Sequence, residues 1–453
     1  MQKLISKYAL AAHLAILAVA PQFFSLGTVL CLSALAFCWL IFEPSRLGEE
    51  SLYAARKRVA SAIVSDPVFW LTVSIFLFRA ISYFNTGVAM TYDAESGNWS
   101  LSQPLFPYLP ASASNCATAE LSASAALIVV LQGCRNAMGR MARSVFLVLF
   151  SAFSGVGALV YCILCSSSSQ EALALAASSF SNPQFLGVYH AMGLFCAIAA
   201  FSSVLRYKWY SSVVFIILGL SCNAAALFVF APESVILVFA SASFALILYT
   251  IIWHYIKEDP AQGLIAFIGT IFFLSLAVVL VVISLPESLI SAKLSPILAG
   301  ARLLPENFHA LYAQLSDASL AIWKKCPWLG SGLGTFPDAM KFVASHEFWQ
   351  IVPANQVSPT SLHWKVLAER GAIGAFLIVS LLSLILFTFL KRWIGAIKIF
   401  PQPSAMAGLF LLVAAAVDSM YGVSMLSAGT TVAFLSMLAI SASSFSKVKN
   451  NVR

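Results

Sequence analysis

Apolar runs recur along the chain and alternate with shorter polar connections. Each run approaches about 20 residues, the length of helix that crosses the hydrocarbon core of a bilayer. In lipid the backbone must satisfy its own hydrogen bonds, so such runs form helices. The pattern predicts an all-α polytopic membrane protein with about twelve transmembrane helices. The predicted spans are 8–20, 23–42, 68–84, 119–133, 145–165, 184–204, 210–230, 234–256, 263–285, 371–390, 403–421 and 427–444.

One long polar interval interrupts this pattern between the ninth and tenth predicted spans. A connection of that length is normally functional or disordered. Its aromatic content, which includes four of the ten tryptophans, favours a folded loop over a disordered one. The chain is therefore predicted to comprise transmembrane helices one to nine (1–285), a large loop with helical segments (286–370) and transmembrane helices ten to twelve (371–453).

Lysine and arginine residues alternate between the two sides of the predicted bundle. Eighteen of the 26 fall in the termini and in every second connection, whereas the opposite short connections have none. Basic connections stay in the cytoplasm, so both termini are predicted to be cytoplasmic and the 286–370 loop to lie outside. That loop carries seven basic residues of its own, which long loops tolerate. They indicate either an anionic ligand or a solvated surface.

Composition excludes some function classes. The net charge of +8 does not indicate nucleic-acid binding, because the basic residues occupy short turns where they orient helices. The nine cysteines show no CxxC or Cys/His metal spacing, and most lie inside apolar runs. Cys116 and Cys326 fall in connections predicted to lie outside. A disulfide between them is possible but is not established by the sequence.

Few polar residues interrupt the predicted spans. Arg79 lies about one turn from the outer end of the third span, where a charge is costly and should face a cavity or a partner. The alternative is that its side chain extends to the outer interface. His13, His190 and Asp418 also lie in spans, where hydrogen bonds between helices are a more common role than catalysis.

The first half of the large loop contains a glycine-rich segment. Residues 317–323 predict a short amphipathic helix, which Lys324-Lys325-Cys326-Pro327 would end. The sequence WLGSGLGTF follows, and its three alternating glycines allow unusual backbone dihedrals and close approach to a ligand. The segment is not a nucleotide-binding loop, since it lacks the GK[ST] ending and a preceding strand.

The second half of the loop leads into the tenth span. Thr360 or Ser361 can cap a helix on which His363 occupies the first turn and Arg370 lies two turns deeper on the same face. Histidine can act as a general base near neutral pH, and arginine can hold a pyrophosphate through paired hydrogen bonds. The alternative is that His363 anchors the helix end at the interface beside Trp364.

Three segments together resemble the O-antigen ligase and O-antigen polymerase family. They are the loop sequence CPWLGSGLGTF, the later AERGAIG that opens a membrane helix, and FSNPQFLGVYHA at the start of a middle span. The resemblance covers roughly 180–390 directly, and the twelve-span layout extends it to the whole chain. Each motif is loose, but their order and spacing together are fairly specific.

The resemblance implies a multi-helix, GT-C-like membrane glycosyltransferase in the bacterial inner membrane, with the large loop in the periplasm. Such an enzyme takes a glycan from undecaprenyl pyrophosphate and transfers it to a sugar hydroxyl on another glycan or on lipid A-core. No cofactor and no metal are implied. His363 would be the base that activates the acceptor. The candidate substrate contacts are Arg302, Arg79 and Arg370 for the pyrophosphate, and Trp328, Trp349 and Trp364 for sugars or, equally, for interfacial anchoring.

The chain also departs from the family pattern. Thr360 stands where many relatives have a histidine, and Pro232-Glu233-Ser234 replaces a Ser-Arg-Gly. Two further hypotheses therefore stay open: a transporter or flippase for a lipid-linked glycan, and a non-catalytic relative in polysaccharide assembly. The sequence does not separate ligase from polymerase.

Overall fold

A computed structural model of the protein describes residues 2–42, 51–85, 90–93, 98–101, 106, 108–112, 114–166, 183–257, 268, 308–340, 343, 361–394, 401–421 and 427–443. Helices make up most of these residues, as the hydropathy pattern predicts. Eight helices in the described ranges are long and apolar enough to cross a membrane, and three shorter apolar helices accompany them. The described part of the chain is thus an all-α fold of the polytopic membrane type.

The helices and strands follow in chain order. The helices are α1 (Gln2–Phe23), α2 (Leu26–Phe42), α3 (Leu52–Ser65), α4 (Pro67–Phe84), α5 (Ser114–Gln132), α6 (Arg140–Ser166), α7 (Pro183–Tyr207), α8 (Val213–Phe230), α9 (Glu233–Lys257), α10 (Phe308–Lys325), α11 (Phe336–Met340), α12 (Leu362–Ile394), α13 (Pro403–Tyr421) and α14 (Ala428–Ser443). Strand β1 (Met90–Asp93) pairs antiparallel with β2 (Asn98–Leu101), and β3 (Ala111–Ser112) pairs parallel with β4 (Gly332–Leu333).

Eleven of the twelve predicted spans coincide with helices of the structure. The ninth predicted span, 263–285, falls almost wholly outside the described residues. The apolar segments of α1, α2 and α14 are shorter than those of the other eight helices. Helix α3 lies in the connection after the second span, where hydropathy predicts no span. Ser51 caps its first turn, and Asp66 caps α4 directly after it.

Small residues let the central helices approach closely. Gly155 of α6 faces Gly219 of α8, and Gly193 of α7 faces Asn223 of α8, so a Cβ at Gly155 or Gly193 would collide with the neighbouring helix. Contact through small residues is the usual basis of helix packing in lipid. His190 Nδ1 lies 2.8 Å from Asn223 Oδ1. This bond between α7 and α8 confirms the predicted helix–helix role of that histidine.

The two ends of the bundle differ in the elements that meet there. At the loop end, α4 finishes, α5 and α12 begin, and α10 and α11 pack against α12. At the basic end, α6 and α13 begin and α7 and α14 finish. The distribution of basic residues predicts that the loop end faces outside and the basic end faces the cytoplasm.

The described part of the large loop is folded against the bundle. The predicted amphipathic helix at 317–323 is confirmed as part of the longer α10, which ends at Lys325. Its apolar face packs with α11 and the first turns of α12 in a small separate core, formed by Leu315, Ala318, Ile322, Phe336, Met340 and Ala368. This core fixes the glycine-rich segment, which lies between α10 and α11, relative to the start of α12.

Candidate functional site

Three buried charged residues meet at the loop end. Arg370 Nη2 donates to Glu120 Oε2 at 2.6 Å, and Arg79 Nε lies 3.7 Å from the same oxygen. Arg79 Nη1 also donates to the Glu120 carbonyl at 3.1 Å and to Ser124 Oγ at 2.6 Å. The three side chains are buried, with 3–6% of each residue exposed. Two arginines thus share one carboxylate, which leaves the cluster with a net positive charge.

Three helix ends bring this cluster together. Arg79 lies in the last two turns of α4, Glu120 in the second turn of α5, and Arg370 at the end of the first segment of α12. Lys365 lies on α12 one turn before Glu369, and its charge acts on both Glu369 and Glu120. The local excess of positive charge therefore extends from the buried cluster toward the partly exposed start of α12.

A glycine kink positions Arg370. Gly371 interrupts α12 with φ 61° and ψ −168°, a conformation open almost only to glycine. The kink leaves backbone N–H groups without helical partners, and carbonyls of the glycine-rich segment and of Pro327 before it accept their hydrogen bonds. Ala372 N donates to the Pro327 carbonyl at 2.8 Å, and Ile373 N donates to the Trp328 carbonyl at 3.1 Å. The kink is therefore held by the loop rather than by helix hydrogen bonds.

The glycine-rich segment needs its glycines for the same contact. Gly330, Gly332 and Gly334 all have positive φ. A Cβ at Gly330 would collide with the backbone of Glu369 and Arg370. Ser331 N donates to the Ala368 carbonyl at 2.9 Å, which fastens the segment to the helix turn that carries Arg370. The unusual dihedrals predicted from sequence are confirmed, and they serve close packing of backbone against backbone.

Helix α4 and its following connection complete the seat. Strand β3 pairs with β4, so the connection after α4 hydrogen-bonds to the glycine-rich segment. Ser82 Oγ donates to the Ala111 carbonyl at 2.6 Å, and Leu333 N lies 3.4 Å from the same hydroxyl. A Cβ at Gly332 would collide with Ala111. Three separate parts of the chain are thus tied together beside the arginine cluster.

Glu369 adds a second buried carboxylate. Its Oε1 accepts from Phe336 N at 3.4 Å, which joins α12 to the start of α11. Its Oε2 is buried and has no hydrogen-bond partner among the residues that the structure describes. A buried carboxyl oxygen without a partner is costly. Glu369 is therefore a polar group of this site with unused hydrogen-bonding capacity.

Of the other predicted site residues, those that the structure describes lie outside the buried cluster. His363 is exposed on the first turn of α12; its Nε2 lies 3.3 Å from Ser361 Oγ and its ring centroid 5.4 Å from that of Trp364. Trp364 is partly buried, and Trp328 is 69% exposed. Arg302, Trp349 and Thr360 lie outside the described residues. The structure therefore joins Arg79 to Arg370 and places His363 two turns away, toward solvent.

Sequence reasoning missed Glu120, although the sequence contained the means to find it. Glu120 lies just inside the predicted span 119–133, so the argument applied to Arg79, that an intramembrane charge needs a partner, applies to it equally. Cys326 is an exposed free thiol, so the disulfide considered with Cys116 is not formed in the structure.

The site is a preorganised cationic centre beneath a polar rim. Among the described residues, no group of three or more His, Cys, Asp or Glu side chains is arranged to hold a metal ion. A scan against protein-family models and a search of curated proteins each found no match. The function is therefore argued from this geometry and from the motifs themselves.

Proposed function

We propose that the chain is a GT-C-like membrane glycosyltransferase of the O-antigen ligase or polymerase type. It would transfer a glycan from undecaprenyl pyrophosphate to an acceptor sugar hydroxyl at the outer face of the bacterial inner membrane, with both termini cytoplasmic and the large loop periplasmic. One observation carries the proposal. The segments CPWLGSGLGTF and AERGAIG, which lie apart in sequence, hydrogen-bond to each other and seat the Arg79–Glu120–Arg370 cluster.

The charge of the cluster suits the leaving group. As a glycan departs from a lipid pyrophosphate, negative charge develops on the phosphate oxygens, and fixed cations near the membrane surface stabilise it. Arg79 and Arg370 carry that charge, and Glu120 holds both in place. Arg79 Nη1 and Arg370 Nη2 already donate to protein acceptors, so these groups act on the substrate through charge, or by exchanging Glu120 for a phosphate oxygen.

His363 suits the acceptor side of the reaction. A general base must meet the acceptor hydroxyl, which arrives from the aqueous side. His363 is exposed on the same helix as Arg370 and two turns nearer its start, and Ser361 Oγ lies within hydrogen-bond distance of its Nε2. Trp364 and the exposed Trp328 offer aromatic faces nearby for sugar rings.

The test is transfer from a purified undecaprenyl-pyrophosphate glycan in nanodiscs, without nucleotide. Wild type should release undecaprenyl pyrophosphate. His363→Ala should reduce the rate by roughly 10²–10⁴-fold, the range of general-base catalysis, while the thermal unfolding temperature stays unchanged because the side chain is exposed. Ser361→Ala, which removes the hydroxyl beside His363 and leaves the imidazole, shows how far that hydroxyl contributes.

Two outcomes would contradict the proposal at different levels. Full transfer by His363→Ala would reject the histidine as base and leave the enzyme class intact. If wild type releases no undecaprenyl pyrophosphate with a range of donors and acceptors, the enzyme class itself is wrong. Movement of a lipid-linked glycan across proteoliposomes by the same preparation would then establish the transporter alternative.

A further inference from the structure

A second cationic cavity lies at the basic end, away from the proposed transfer site. Helices α6 and α13 begin at it, α7 finishes at it, and α9 and α14 close its sides. Thirteen residues line it, of which three are arginines and none is acidic. The arginines are Arg140, Arg143 and Arg206. Such a lining favours an anion over any neutral or positive ligand.

Arg143 is the lining residue whose buried charge is least compensated. It is 8% exposed, and its Nη1 donates to the carbonyl of Ser443. Its Nε is buried and has no hydrogen-bond partner within the described ranges. No carboxylate pairs with it there, and the neighbouring guanidinium groups are those of Arg140 and Arg392. A buried positive charge surrounded by further positive charge is costly unless an anion reaches it.

Each of the other buried arginines of the described chain lies beside a carboxylate. Arg79 and Arg370 share Glu120. Arg135, which is slightly more exposed than these, binds Asp66 through two bonds of 3.0 and 3.2 Å. Arg143 is therefore the one buried arginine among the described residues without a carboxylate partner, and it lines a cavity.

The surrounding backbone and hydroxyl groups also suit an anion. Arg143 lies in the first turn of α6, and Ser404 lies in the first turn of α13, so two helix N-termini contribute partial positive charge to the cavity, whereas the C-terminal end of α7 contributes partial negative charge. The lining also contains four serines, of which Ser144 and Ser202 donate to carbonyls of their own helices. Arg206 is exposed at the rim, where a ligand enters.

We propose that this cavity binds a phosphate group at the membrane face that is predicted to be cytoplasmic. The phosphate belongs either to the headgroup of an anionic phospholipid or to free inorganic phosphate. The phosphate group lies between Arg143 and Arg206 and supplies the negative charge that no described carboxylate provides to Arg143. This site is independent of the proposed transferase site, which lies at the opposite end of the bundle.

The experiment measures binding of two probes to the full chain. Inorganic phosphate is titrated against protein in neutral detergent, and phosphatidylglycerol is compared with phosphatidylcholine in nanodiscs; the thermal unfolding temperature and native mass spectrometry report binding. Arg143→Gln and Arg206→Gln should each weaken binding roughly tenfold or more, as expected for loss of a charged hydrogen bond. Lys391→Gln, which removes an exposed charge elsewhere at the basic end, should leave binding unchanged.

The outcomes divide cleanly. Saturable phosphate binding that both arginine variants weaken identifies free phosphate as the ligand. A response to phosphatidylglycerol alone, lost in the same variants, identifies a lipid headgroup. Binding of neither probe overturns the proposal, and so does equal weakening by Lys391→Gln, which would show general attraction of anions. If Arg143→Gln does not fold, the exposed Arg206 variant decides.

Discussion

The two ends of the bundle differ in how the charge of their buried arginines is compensated. At the loop end, two buried arginines converge on one carboxylate, Glu120, which is itself buried. At the basic end, Arg143 is equally buried but has no carboxylate partner among the residues that the structure describes, and its neighbouring charges are those of other arginines. The residue type and the burial are the same, and only the source of the compensating charge differs. A buried cation depends on its internal partner, because removal of that partner leaves an uncompensated charge, and a buried cation without one gains most from an external anion.

Because of this difference, a phosphate ligand would meet different surroundings at the two ends. A phosphate at the loop end competes with Glu120 or adds to a cluster whose charge is partly neutralised. A phosphate at the basic end has no protein carboxylate to displace within the described lining. The first arrangement favours charge stabilisation during a reaction, when the charge of the ligand changes. The second favours constant occupancy by a resident anion.

The largest effect is expected from removal of Glu120. Glu120→Gln leaves two buried guanidinium groups without a counter-charge, so the free energy of unfolding should fall by about 3–5 kcal/mol. Denaturant titration in detergent measures it. Asp66→Asn is the matched control at the basic end. Asn still caps the helix, and Arg135 is less buried than the arginines beside Glu120. The free energy of unfolding should therefore fall clearly less in this variant. An equal fall in the free energy of unfolding for the two variants would show that the buried cluster at Glu120 and the less buried Asp66–Arg135 pair do not differ in stability.

A smaller effect is expected from a change of backbone at the kink. Gly371→Ala introduces a Cβ into a conformation that costs about 1–3 kcal/mol for other residues, and that Cβ would meet the backbone of Trp328 and Gly330. We expect faster proteolysis of the glycine-rich segment and a lower unfolding free energy. Gly27→Ala, where a Cβ meets nothing within 4 Å, is the control. Binding of phosphate or phosphatidylglycerol at the basic end should not change in Gly371→Ala. A change in that binding would show that the two ends are coupled.

The last test leaves stability unchanged and defines the sides of the membrane. Cys326 is an exposed free thiol at the loop end. A membrane-impermeant maleimide should label it in intact cells, because the loop end is predicted to face outside. Cys326→Ser identifies the labelled residue by its loss of signal and should unfold at the wild-type temperature. Labelling that appears only after permeabilisation would reverse the orientation and place both proposed sites on the wrong faces.

Hydropathy determined the helices in advance because lipid constrains each span locally. A segment that crosses the bilayer must be long enough, apolar enough and internally hydrogen-bonded, and all three conditions are visible in a single stretch of sequence. Eleven predicted spans therefore have their helices in the structure. The need of Arg79 for a partner could also be predicted, because the cost of a buried charge depends on that residue and its depth.

The identity of that partner depended on tertiary structure. Glu120 lies 41 residues from Arg79 and 250 from Arg370, and no local pattern links the three. The same holds for β3 and β4, whose pairing ties the connection after α4 to the large loop. These contacts are set by how the helices pack, and packing depends on all neighbouring surfaces at once. The sequence by itself thus determined which segments cross the membrane and which charges need compensation. Only the folded chain decided that Glu120 compensates two of them and that Arg143 meets no carboxylate within the described part of the chain.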